Sequence, residues 1–150
     1  MMKKRRSSVR FRSCGEDMKR VCLDTDFLVA LLRKNPEATK KAEEYDSIRA
    51  EVSTTSMNAF EIYLGALRSR EPEKNVKQAD DLLNSIKILN LTLESSRKSS
   101  EILSALFHRG EPIDLRDSII AGISLIGGCK LVTRNTERFK RVTGLSIETW

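Results

Sequence analysis

The chain has 150 residues, 39% of them hydrophobic and 32% charged, enough for one domain that buries roughly two-thirds of the surface its unfolded form exposes. No apolar run approaches the roughly 20 residues needed to span a bilayer, which excludes a membrane role for any single helical segment. The formal charge of +6 is unevenly placed: residues 1–20 hold eight basic and two acidic side chains, whereas from Val21 onward there are 19 of each, so the body itself is neutral.

The basic leader lacks the apolar stretch of a secretory signal. It can be read as an RNA-attracting arm, as a targeting segment, or as an upstream extension of the reading frame with initiation at Met18. The extension is preferred because Met18 stands just ahead of the first strand. A domain over 18–150 is therefore expected, with 1–17 a leader that is disordered or not translated. Cys14, Cys22 and Cys129 are odd in number and widely spaced, which fits neither a zinc cluster nor a disulfide framework and suits a reducing, cytoplasmic setting.

A first strand is predicted over Arg20 to Asp24, with Cys22 as a small buried hydrophobe. It feeds a helix that ends near Arg33, and Pro36 opens a second helix toward Arg49. Glu51 to Thr54 reads as the second strand, and Thr55 or Ser56 as the N-cap of a helix carrying Glu61. Pro72 starts a helix to Ser85, and Ile86 to Leu91 alternates as a third strand. A long helix from Thr92 ends at Gly110, with the sole histidine, His108, in its last turn, where it complements the helix dipole. After Pro112 comes a helix apolar nearly all round, bearing Asp114 and Asp117 and ended by Gly127-Gly128. Lys130 to Thr133 is the fourth strand, a loop at Arg134-Asn135 leads to a short helix through Phe139, and Ser146 to Trp150 reads as an edge strand. Alternating strands and helices imply an α/β fold with a parallel sheet covered on both faces.

Three acids stand where that pattern should exclude charge. Asp24 ends a buried strand, on the sheet edge where ligands bind in open α/β folds. Glu61 lies on an apolar helical stripe with Met57, Leu64 and Gly65 around it and no basic partner on its own face. Asp117 opens a buried helix, one turn after Asp114. Ionised carboxylates in such places must be paired, metal-bound or neutralised. If they converge, oxygen-only ligation selects Mg²⁺ or Mn²⁺, and metal-assisted phosphodiester hydrolysis needs no protein nucleophile. The bland readings are a helix-capping role for Asp24, Asp26 or Asp114, an ion pair between Glu61 and a distant arginine, and surface or RNA-phosphate roles for Arg116 and Arg134.

Leu23-Asp24-Thr25-Asp26-Phe27-Leu28-Val29, Phe60-Glu61-Ile62-Tyr63-Leu64-Gly65-Ala66, Ile113-Asp114-Leu115-Arg116-Asp117-Ser118-Ile119-Ile120-Ala121-Gly122 and Leu131-Val132-Thr133-Arg134-Asn135-Thr136-Glu137-Arg138-Phe139 with Gly144-Leu145 together resemble the PIN-domain family, and its VapC toxin branch in particular. The resemblance implies a three-layer α/β/α sandwich with a central parallel sheet of four to five strands and a Mg²⁺- or Mn²⁺-dependent endoribonuclease. It places Asp24, Glu61 and Asp117 on the acidic metal-binding and catalytic positions. It also implies an RNA substrate, a cognate antitoxin and a homodimer; no RNA-binding residues are assigned. Where many members carry a fourth acid in a T-x-D pattern, this chain has Thr133-Arg134-Asn135, so one well-bound ion is expected, with Asp114, Thr133 and Asn135 in secondary roles. Two alternatives remain at this stage. The Asp24-Thr25-Asp26 spacing also fits a haloacid-dehalogenase-type phosphatase with Asp24 as nucleophile, and the missing fourth acid leaves room for a PIN-like module that binds RNA or protein without cutting.

Overall fold

The computed structural model describes residues 18–150, so the expectations for the leader lie outside the described residues. The elements in chain order are β1 (Arg20–Leu23), α1 (Thr25–Leu32), α2 (Pro36–Ser47), β2 (Glu51–Thr55), α3 (Ser56–Leu67), α4 (Pro72–Asn84), β3 (Lys87–Leu89), α5 (Leu93–His108), α6 (Leu115–Ile126), β4 (Lys130–Val132), α7 (Thr136–Phe139) and β5 (Ile147–Glu148). The sheet has five strands in the order β3-β2-β1-β4-β5, all neighbours parallel. The expected sandwich is thus observed with five strands, and among the described residues no helix is long and apolar enough to cross a membrane.

Strand alternation divides the core into two layers. Val21, Leu23 and Val132 point to one face and pack with Phe27 and Leu28 of α1, Tyr45 of α2, Ile62 of α3 and Leu83 of α4. Cys22 and Leu131 point to the other and pack with Ile102 and Leu106 of α5, Ile120 and Ala121 of α6, and Phe139 of α7. Burial pushes the Cys22 thiol up to about 12, as its reading as a small hydrophobe requires. The α5–α6 pair approaches so closely that a Cβ on Gly122 would lie 2.0 Å from Ser99 Oγ and 2.8 Å from its backbone nitrogen. That approach seats α6, and with it Asp117, against the sheet.

Most strands and helices are slightly shorter than the sequence pattern suggests, while β2 runs one residue further, to Thr55. The β3 pairing stops at Leu89, and Thr92, where the sequence starts the helix, caps α5 through a reciprocal bond with Ser95. β4 ends at Val132 and frees Thr133, and β1 ends at Leu23 because Asp24 becomes the N-cap of α1.

Candidate functional site

The strand order reverses direction beside β1: β2 and β3 extend to one side, β4 and β5 to the other. Ligands in open α/β sheets bind at the carboxyl ends of strands where this reversal opens a crevice. Asp24 follows β1 at that point, and its backbone N–H donates to Val132 O at 3.0 Å, which ties it to the end of β4.

Asp24 is 5% exposed and its carboxylate accepts three bonds: Thr25 N–H at 2.9 Å and Asn58 Nδ2 at 3.0 Å on Oδ1, and Thr133 Oγ1 at 2.7 Å on Oδ2. Each donor is itself held. Asn58 is fully buried at the third position of α3, where its Oδ1 accepts from Thr55 Oγ1 at 2.6 Å and its Nδ2 reaches Thr25 Oγ1 at 2.9 Å. Thr133 Oγ1 accepts from the Asn135 N–H at 3.0 Å. The capping reading for Asp24 is therefore correct and does not compete with a site, since the bonds fix the carboxylate at the crevice while leaving one lone pair of Oδ2 unused. Asp26 does not cap; its Oδ2 accepts from the Arg134 N–H at 2.8 Å and anchors the loop after β4.

Glu61, on α3, and Asp117, in the first turn of α6, are each paired with one arginine. Arg116 Nη1 lies 3.5 Å from Glu61 Oε2, and Arg138 Nη1 lies 3.6 Å from Asp117 Oδ2. The distant-arginine reading for Glu61 is thus realised, by a residue 55 positions later in a different layer. Burial is the main cause that raises both acids above the ordinary carboxylate range, and the arginines offset it only in part. The charges of Asp24 and Asp117 raise Glu61, and those of Asp114 and Asp24 raise Asp117.

Among the described residues no three His, Cys, Asp or Glu side chains stand gathered in a ready cation cage. The donor chemistry nonetheless fits a hard divalent ion: three oxygen-bearing acids, desolvated and mutually repelling, with no imidazole or thiolate beside them. An ion held by Glu61 and Asp117 together would compete with the two arginines for their charge. Asp114 is the N-cap of α6, bonded to the Arg116 N–H at 2.8 Å, and its side chain is half exposed with Arg116 Nε at 3.6 Å. Asn135 is exposed and its side chain does not cap α7.

Sequence reasoning misses Asn58 and Arg138. The signal for Asn58 is the Thr55-x-x-Asn58 spacing of a capping box, in which an amide at the third position can reach beyond the cap. Arg138 gives none, because only the placement of α7 brings it to Asp117. Arg134 is exposed but not free: it stacks on the Trp150 ring at 3.6 Å, donates to Trp150 O at 2.9 Å and pairs with Glu37.

A family model described as PIN domain matches residues 21–145. The tRNA(fMet)-specific endonuclease VapC of Shigella flexneri is 27% identical over 133 residues, 89% of this chain and 99% of that protein. The Ribonuclease VapC2 of Rickettsia felis is 26% identical over 128 residues, 85% of this chain and 96% of that one. Among solved structures, DNA-bound VapBC from Salmonella typhimurium superposes with a TM-score of 0.80 at 26% identity, covering 89% of this chain and 98% of that chain. VapBC2 from Rickettsia felis bound to a promoter DNA fragment gives 0.81 at 24% identity, over 87% and 98%.

Proposed function

The chain belongs to the PIN-domain family, and from that premise we propose that it is a Mg²⁺- or Mn²⁺-dependent endoribonuclease, the toxin of a type II toxin-antitoxin pair. What supports the reading is that Asp24 after β1, Glu61 on α3 and Asp117 on α6 are acids largely withdrawn from solvent on elements tied to one another, Asn58 of α3 bonding Asp24 and Arg116 of α6 reaching Glu61. The curated relatives are named as ribonucleases or endonucleases, and they align along nearly their whole length. The solved relatives are VapBC assemblies, which supports an antitoxin partner here. A homodimer and a cytoplasmic location belong to the same reading.

Asp24, Glu61 and Asp117 would hold the cation, which when bound supplies an activated water and neutralises charge on the phosphodiester transition state. The protein's own share is placement. Asn58, Thr25 and Thr133 fix the Asp24 carboxylate from three directions, so its orientation is set before any ligand arrives. The Thr133-Asn135 turn holds Thr133 Oγ1 as donor to Asp24, and the Asn135 amide stands exposed beside it to meet substrate or water. The phosphatase alternative gains no support from the structure: Asp26, the second acid it needs, accepts the Arg134 N–H through Oδ2 and anchors the loop after β4.

Incubating the purified protein with total RNA in Mg²⁺, in Mn²⁺ and in EDTA tests the proposal. Cleavage is expected with either metal, and loss of cleavage is expected in EDTA and in Asp24→Asn. Cutting that persists in EDTA would refute metal dependence, and RNA binding that never leads to cutting would support a non-catalytic module. Growth arrest on expression, relieved by Asp24→Asn, would bear on the toxin role.

A further inference from the structure

We propose that Arg116 and Arg138 are built-in competitors for the site's cation: their guanidiniums pair with Glu61 and Asp117, and a divalent ion loads only by displacing them. The inference rests on the metal-dependent reading above and adds to it what sets the ion concentration at which the site fills.

Asp24 and the other two acids are compensated in different ways. Asp24 is held by neutral donors, an amide, a hydroxyl and a backbone N–H, which orient it without cancelling its charge. Glu61 and Asp117 meet full positive charges at 3.5 and 3.6 Å. Those two arginines are 51% and 57% exposed, so they sit at the solvent side of carboxylates that are only 20% and 12% exposed. They are therefore free to swing outward at small cost, unlike the Asp24 donors, which are fixed by their own bonds. Two guanidiniums also carry the same charge as one divalent cation, so exchange leaves the balance of the crevice unchanged. Arg116 has a second acid at hand: Asp114 Oδ1 lies 3.6 Å from its Nε and can keep the guanidinium once Glu61 releases it. Arg138, on the four-residue α7, has Asp117 as its partner across the crevice.

Half-exposed ion pairs of this geometry contribute little each, so each arginine is expected to weaken ion binding by about threefold and the two together by about tenfold. A structural role for the arginines, holding the acids in place for the ion, predicts the opposite sign.

The test is titration of the full chain with Mn²⁺ alone by isothermal calorimetry, for wild type, Arg116→Gln, Arg138→Gln, the double variant and the Arg138→Lys control, with circular dichroism to verify folding. The proposal expects Mn²⁺ affinity to rise about threefold in each single variant and about tenfold in the double, with Arg138→Lys close to wild type because it keeps the charge. Calorimetry reads binding, not turnover, so the result does not depend on RNA. Affinity that is unchanged or lower in folded variants overturns the inference and leaves the metal reading standing if wild type binds Mn²⁺. If neither wild type nor the double variant binds Mn²⁺, both readings fall. Should one glutamine variant fail to fold, the other decides, since the two pairs involve different acids.

Discussion

Two acid clusters on this fold are built from similar parts and reach opposite ends. On β5, Glu148 receives Lys41 Nζ at 2.9 Å, Lys19 Nζ at 3.1 Å and Tyr45 OH at 3.1 Å. Its burial favours the neutral acid, but those donors outweigh it and bring Glu148 down to about 2. At the crevice, burial and neighbouring acids hold Glu61 and Asp117 above the ordinary range even with an arginine beside each. The chain supplies enough positive charge to satisfy Glu148 and too little to satisfy the crevice. An acid that the fold compensates in full is a structural tie; acids left in excess store a demand for an external cation, at a cost in stability.

The sharpest way to break this contrast is to neutralise one acid of each kind. On the proposed metal-dependent mechanism, Asp117→Asn is expected to cut the rate of RNA cleavage by roughly 10²- to 10⁴-fold, since several kcal/mol of transition-state stabilisation would pass through a cation bound there. The same substitution should raise the melting temperature of the EDTA-treated protein, because it removes an ionised group whose burial the fold resists. Glu148→Gln should do the reverse, leaving cleavage per folded molecule unchanged and destabilising the fold. The displacement of Glu148 from 4.5 to about 2 sets an upper bound of about 3 kcal/mol at neutral pH. The signs in pH follow. Glu148, with its folded value depressed, contributes stability that is present above 4.5 and lost as pH falls toward about 2. Glu61 and Asp117, with raised values, make the EDTA-treated fold more stable as pH falls from neutral through their folded values. If both variants melt lower at neutral pH, the crevice is an ordinary set of ion pairs and the distinction fails.

The sequence shows the acids more clearly than their partners. Asp24, Glu61 and Asp117 are legible because a charge interrupts an apolar pattern, a signal carried by adjacent residues. The parallel sheet and the two helical layers follow from alternation of strands and helices, whereas the strand order, with its reversal beside β1, is given only by the structure. What the sequence conceals is pairing across layers. Nothing near Glu61 announces Arg116, since the two meet only after α3 and α6 pack on the sheet. Arg134 reads as a surface charge and proves to be a tether, because Trp150, Glu37 and Asp26 reach it from three distant segments. The Glu148 tie is likewise invisible, its donors lying more than a hundred positions away.

A milder perturbation tests whether Asp24 is oriented in advance. Thr133→Val removes the donor to Asp24 Oδ2 and the acceptor for the Asn135 N–H while keeping the side chain's shape. The loss of a buried bond to a carboxylate is expected to cost about 1.5 to 3 kcal/mol of stability, read from denaturant melts, and to weaken Mn²⁺ binding. A variant that melts as wild type would show that Asn58 and Thr25 alone fix Asp24.

The smallest expected effect comes from Asn135→Asp, which gives the crevice a fourth acid where it has an amide. Asn135 is exposed at the start of α7, beside the Thr133 hydroxyl that donates to Asp24. A carboxylate there adds attraction for a cation at the high dielectric of the surface, on the order of 1 kcal/mol or less. Mn²⁺ affinity should therefore rise about threefold at low ionic strength, and the gain should fade as added salt shortens the screening length. Stability in EDTA should fall slightly, since the new charge adds to an excess that the arginines already fail to cancel. A gain that survives high salt would mean that the new carboxylate binds the ion directly, whereas no gain at low salt would place position 135 outside the field of the site and confine the cation to Asp24, Glu61 and Asp117.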